Sequence, residues 1–137
     1  MSRRSRAREV ALQILFEDDV NPRASVADMK QFVSGRLNSP ELEEFCMSLI
    51  LGVRRNQSEL DVQLSQIADN WSIGRMAATD RNVLRLGAYE ILYADTPDRA
   101  AINEAVELAR RFGSAQSAHF VNGILDKFIH GKEPPNS

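Results

Sequence analysis

Apolar residues recur in this chain at three- and four-residue spacings almost from end to end. No stretch alternates convincingly with the period of two that marks a half-buried strand. That periodicity is the tightest constraint on the fold: it calls for amphipathic helices, each burying one face against its neighbours. The chain has 137 residues, 43% hydrophobic and 26% charged, which suits one compact domain or two small halves sharing an interface.

The first helix spans about Ser5 to Asp19, with Ala7, Ala11, Ile14 and Leu15 on one stripe, and Asn21-Pro22 breaks it. Ser25 stands three residues before Asp28, a capping-box-like start for a short helix carrying Met29, Phe32 and Val33. Asn38-Ser39-Pro40 punctuates again. Ser39 can cap, Pro40 suits the first helical position, and the acids that follow face the positive end of the helix dipole. That helix buries Leu42, Phe45, Leu49 and Val53, with Cys46 beside them, and a further one carries Leu60, Leu64, Ile67 and Ala68. Trp71-Ser72-Ile73-Gly74 reads as a loop joining two halves.

Thr79 or Asp80 then opens a helix apolar over a wide face (Val83, Leu84, Gly87, Ala88, Ile91, Leu92), which marks it as central. Asp98 caps the next, which carries Ile102, Ala105, Val106, Ala109 and Phe112 and ends at Gly113. The last carries Phe120, Val121, Ile124, Leu125 and Phe128 and stops at Gly131, before a frayed tail over 132–137. The expected fold is all-α, with about seven helices in two small packed helical subdomains, roughly 1–73 and 74–131.

One cysteine excludes an internal disulfide and, with only two histidines, a Cys/His structural zinc site. No apolar run approaches the roughly 20 residues of a membrane-spanning helix. The basic start leads into an amphipathic pattern rather than a signal core, so the expected location is the cytoplasm. No G-x-S-x-G, P-loop, G-x-G-x-x-G or H-E-x-x-H motif is present. Cys46, on an apolar stripe, reads as a buried inert thiol rather than a nucleophile. Glu104 and Glu107 read as solvated acids rather than a catalytic pair, and His119 and Asp126 are too far apart along a helix to bond. The expectation is no enzyme, no cofactor and no metal.

Net charge is −2, yet Arg3, Arg4, Arg6 and Arg8 place four of the 17 basic residues in the first eight positions. Such a tip can bind an anion locally, or it is simply a solvated helix start. Arg4 and Arg8 are i,i+4 neighbours whose guanidinium forks match phosphate, and the helix N-terminus adds its unpaired N–H groups. Unstacked bases also want an aromatic platform. Phe16 and Phe120 are candidates, though each also fits a core stripe, whereas Phe128 belongs to the core. The residues alone therefore read as a small helical RNA-binding or protein-binding module.

Two segments resemble a known family. RRSRAREVALQILF (3–16) resembles the opening of NusB-type transcription antitermination factors, an Arg-rich helix leading into an Ala-Leu-Gln-x-Leu-aromatic run. RNVLRLGAYEIL (81–92), AINEAVELARRFG (101–113) and HFVNGILDKF (119–128) resemble the rest of the pattern. The likeness covers the chain in length and helix order and is weak in motif between about 20 and 75.

The resemblance implies two small helical subdomains and a non-enzymatic role in bacterial transcription. Its members pair with NusE, a small-subunit ribosomal protein, and bind the single-stranded boxA element of ribosomal RNA leaders. With other Nus factors they help RNA polymerase read through terminators. It implies an RNA site of Arg3, Arg4, Arg6, Arg8, Phe16, His119, Phe120 and Asn122, and a NusE contact at Asp80 and Arg81. Three positions depart from the family pattern: Phe16 where Tyr is frequent, His119 where Lys is frequent, and Asp80 where Glu is also found. Two other readings are an adaptor without an RNA role and a stand-alone relative of the RNA-binding domain of RNA methyltransferases. The same helical domain also occurs fused to RNA methyltransferases, and that fused form predicts a catalytic domain with a glycine-rich cofactor loop downstream.

Overall fold

The computed structural model describes residues 3–68 and 72–132. Their regular elements are α1 (Arg3–Val20), α2 (Val26–Leu37), α3 (Pro40–Ile67), a 3₁₀ turn (Ile73–Arg75), α4 (Ala78–Tyr93), α5 (Asp98–Phe112) and α6 (Ser117–Lys132). No strand occurs among the described residues. Six α-helices stand where the periodicity gave about seven, because the two expected helices around Val53 and Leu60 are one 28-residue helix. Between them lies Arg-Arg-Asn-Gln-Ser-Glu, with no proline to interrupt the backbone ladder. The chain forms two compact units, Met1–Arg55 and Asn56–Ser137. The division falls inside α3 and not at the loop around Ser72. Trp71 and the tail beyond Lys132 lie outside the described residues.

In the first unit α1 packs on α2. Its core comprises Ala7, Val10, Ala11 and Leu15 of α1, Met29 and Val33 of α2, and Cys46, Leu49, Ile50 and Val53 of α3. Ser25 caps α2 by accepting from the Asp28 amide at 3.1 Å. Asn38 ends that helix in the left-handed conformation, with φ 52°. Asn tolerates this better than other non-glycine residues, so Asn38-Ser39-Pro40 can stop one helix and start the next without a longer linker. Ser39 accepts from the Leu42 amide at 3.4 Å as α3 begins at Pro40. At the far end of α1, Arg54 donates to both Asp18 oxygens at 2.7 and 2.6 Å and reaches the Ala24 carbonyl at 3.3 Å. Leu42 and Phe45, expected in the core, are only half-buried.

In the second unit α4, α5 and α6 pack against one another. Residues 82–88 of α4 are all buried, as expected for a helix covered from several sides. A Cβ at Gly87 would lie 2.7 Å from Leu125 Cδ1 and 3.2 Å from Ala105 Cβ, so glycine there permits the close approach of α5 and α6. Asn82, Arg85 and Glu90 are buried polar residues on the same helix. Arg85 donates to both Asp61 oxygens at 2.7 and 2.8 Å and to Asn82 Oδ1 at 3.2 Å, which fastens α4 to the last turns of α3.

Three end positions differ from the sequence reading. α4 opens at Ala78 rather than at Thr79 or Asp80. α5 is preceded by Pro97, whose carbonyl accepts from the Ala101 amide, so Asp98 is the first helical residue instead of the cap. Phe112 is half exposed, with the Arg111 guanidinium over its ring, and is no part of the core. Gly113 does end α5, at an ordinary negative φ of −97°. Glycine is needed there for space, since a Cβ would collide with Ser117 Oγ and approach its Cβ to 2.6 Å.

Candidate nucleic-acid interface

The first two turns of α1 carry all four arginines of the basic tip, and the fold gives each a different fate. Arg3 is exposed and donates to Ser39 Oγ at 3.2 Å. Arg4 is exposed, and its guanidinium carbon stands 4.2 Å from the centre of the Phe45 ring. Arg6 is tied to Glu9 by an i,i+3 ion pair of 3.0 Å, its charge matched locally. Arg8 is 5% exposed, with its guanidinium carbon 5.2 Å from the same Phe45 ring. Arg3 and Arg4 are therefore the members of the tip that present guanidinium to solvent with no carboxylate beside it among the described residues. Phe16 is half-buried two turns further along the helix.

The remaining candidates belong to the second unit. Asp80 and Phe120 line one cavity of about 190 Å³, together with Met76, Ala77, Ser114, Gln116 and Ser117. Asp80 Oδ1 is shielded from solvent and has no hydrogen-bond partner among the described residues, an arrangement that costs free energy until a donor reaches it. The back of the cavity is fixed by the turn after Gly113, where Ser117 Oγ accepts from the Ser114 amide at 2.9 Å. Phe120 is half-buried, and His119 and Asn122 beside it are exposed on α6. Arg81 donates to the carbonyls of Ile73 and Met76 at 3.3 and 3.2 Å, so it holds the chain that leads into α4.

No group of three or more His, Cys, Asp or Glu able to hold a metal occurs among the described residues. Burial pushes the Cys46 thiol up from its ordinary 9.0 to about 12, so almost none of it is thiolate at neutral pH. No described helix is long and apolar enough to cross a membrane.

Sequence reasoning passed over Phe45 and Ser39 as partners of the arginines, because their contacts join positions 36 to 41 residues apart. It also passed over Arg85, whose setting among Val83, Leu84, Leu86 and Gly87 was a usable signal. A charge inside an apolar run needs a partner when buried.

The NusB family model matches residues 5–130. The chain belongs to the NusB family. The transcription antitermination protein NusB of Desulfatibacillum aliphaticivorans is 42% identical over 136 residues, spanning 97% of this chain and 95% of its own. That of Nocardioides sp. is 39% identical over 133 residues, with 96% and 97% covered. Among solved structures, NusB of T. maritima superposes with a TM-score of 0.84 at 33% identity, covering 98% of this chain and 94% of that one. NusB solved with NusE and double-stranded RNA shares the fold, with a TM-score of 0.84 at 23% identity over 96% and 98% of the two chains. The NusB match begins at Ser5, so Arg3 and Arg4 lie just ahead of it.

Proposed function

We propose that this protein is a cytoplasmic, non-enzymatic transcription antitermination factor. It binds single-stranded boxA-type RNA together with the ribosomal protein NusE and supports read-through of ribosomal RNA operons. The observation that carries the reading is the start of α1 in a NusB-family chain, where Arg3 and Arg4 offer guanidinium forks that no carboxylate among the described residues neutralises. Phosphate is the ligand those forks fit. The relatives' name and the complex of a NusB with NusE and RNA support the same reading. In the second unit, Phe120 supplies a partly open aromatic face with exposed Asn122 and His119 beside it, a setting for an unstacked base. Asp80, with one oxygen lacking a donor, and Arg81 form the NusE-facing side.

The test is a titration of a labelled single-stranded boxA-type RNA, with and without NusE. RNA should bind alone and more tightly when NusE is present. Binding of NusE with no RNA affinity in either condition would establish the protein-adaptor reading instead.

A further inference from the structure

We propose that the Phe45 ring is a platform that holds the Arg4 guanidinium ready for phosphate, which makes Phe45 a positioning residue of the RNA site. The inference rests on the RNA-binding reading above and adds to it a residue of α3. Three other arginines are held by carboxylates, Arg54 by Asp18, Arg85 by Asp61 and Arg6 by Glu9, whereas Arg36 lies over Phe32 and Arg111 over Phe112. A carboxylate fixes a guanidinium but cancels its charge toward a second anion. An aromatic ring attracts the cation through its quadrupole and carries no net charge, so the arginine stays fully cationic. Arg4, with its guanidinium carbon 4.2 Å from the ring centre, has that arrangement.

Stacking also leaves the N–H donors available. They radiate in the guanidinium plane, which is where a phosphate fork-binds. Holding the head before the ligand arrives reduces the side-chain ordering that binding must otherwise impose. The surroundings reinforce the site. Arg8 approaches the same ring at 5.2 Å, so the Phe45 face is shared by two guanidinium groups of α1. Arg3 is anchored by a neutral hydroxyl, Ser39 Oγ, which likewise leaves its charge unmatched. Phe45 is half-buried, so it offers a face to the arginines instead of filling the core as its stripe position suggests.

The test uses fluorescence anisotropy with a 12-nucleotide single-stranded boxA-type RNA on the wild type, Phe45→Leu, Phe45→Trp, Arg4→Ala and the double variant Arg4→Ala/Phe45→Leu. Loss of the ring should weaken RNA binding about two- to fivefold, the range of an exposed cation–π contact. Tryptophan should restore it, and the double variant should bind no worse than Arg4→Ala alone. Wild-type affinity in Phe45→Leu, with Arg4→Ala impaired, overturns the positioning role and leaves the RNA reading standing. Wild-type affinity in Arg4→Ala overturns the arginine grip and the platform together. A measurement without RNA guards against a variant that fails to fold. In the unliganded wild type the Arg4 Hδ protons should be shifted upfield by the ring current, and unshifted protons would overturn the stacking itself.

Discussion

Arg3, Arg4, Arg6 and Arg8 look alike in sequence, and the fold makes them unequal. Arg6 has Glu9, Arg8 is buried, and Arg3 and Arg4 keep their charge toward solvent. Replacing Arg3 and Arg4 together by Ala should therefore flatten the log–log salt dependence of RNA binding by about 0.7 per lost phosphate contact, or up to about 1.4 for both. Arg6→Ala should move it far less. An equal effect from Arg6 would mean that its pair with Glu9 opens on binding. At Phe120 the half-exposed ring predicts a different balance from the fully buried Val121, Ile124 and Leu125 of the same helix. Truncating a stacking aromatic costs roughly 1–3 kcal/mol of RNA affinity, whereas truncating a core phenylalanine costs roughly 3–5 kcal/mol of stability. Phe120→Ala should thus lose about tenfold or more in RNA binding with a modest fall in Tm, read by titration and melting on one preparation. Phe128→Ala, at 3% exposure, should do the reverse.

Between elements, two arginine–aspartate pairs do what helix stripes alone do not. Arg54 and Asp18 join α3 to the end of α1, and Arg85 and Asp61 join α4 to the end of α3. Removing one partner of such a pair leaves a desolvated charge uncompensated, which costs roughly 3–5 kcal/mol for fully buried pairs. Arg85 is 5% exposed and Asp61 22%, so water recovers part of that cost. Asp61→Ala should destabilise by about 2–3 kcal/mol, visible as a fall of several degrees in Tm. A second substitution, Arg85→Met, in that background should restore much of the loss by removing the stranded charge. No restoration would show that the pair acts through packing and not through charge. The α4–α6 seam at Gly87 is equally legible once α6 is in place, because the glycine is a contact surface there and not a flexible point.

For the whole molecule, burial of Cys46 gives a readout of the fold. Its thiol ionises near 9.0 when exposed and near 12 when folded, so the raised value favours the folded chain only while both states hold the proton. That contribution is complete below pH 9 and disappears as pH climbs toward 12. In the folded protein at pH 8, iodoacetamide should leave Cys46 unmodified by mass spectrometry, and labelling should appear only as denaturant unfolds the first unit. Rapid labelling of the native protein would place the thiol at the surface.

The helix content, most breaks and most of the core were written in the sequence, because helical periodicity, Ser25, Asn38-Ser39-Pro40 and Gly113 act within a few residues of themselves. The NusB family was equally legible, in strings such as Ala-Ile-Asn-Glu-Ala-Val-Glu-Leu-Ala and Phe-Val-Asn-Gly-Ile-Leu-Asp-Lys. The merger of two expected helices into α3 was not, since a run without proline permits continuity but does not compel it. Nor was the sorting of the arginines. Whether a guanidinium meets a carboxylate, a hydroxyl, a ring or solvent depends on which side chain from another helix stands within about 4 Å, the range over which an ion pair or a stacked cation acts. For Arg3, Arg4 and Arg8 those partners are Ser39 and Phe45, more than thirty residues away in the chain, and only tertiary packing brings them within that range.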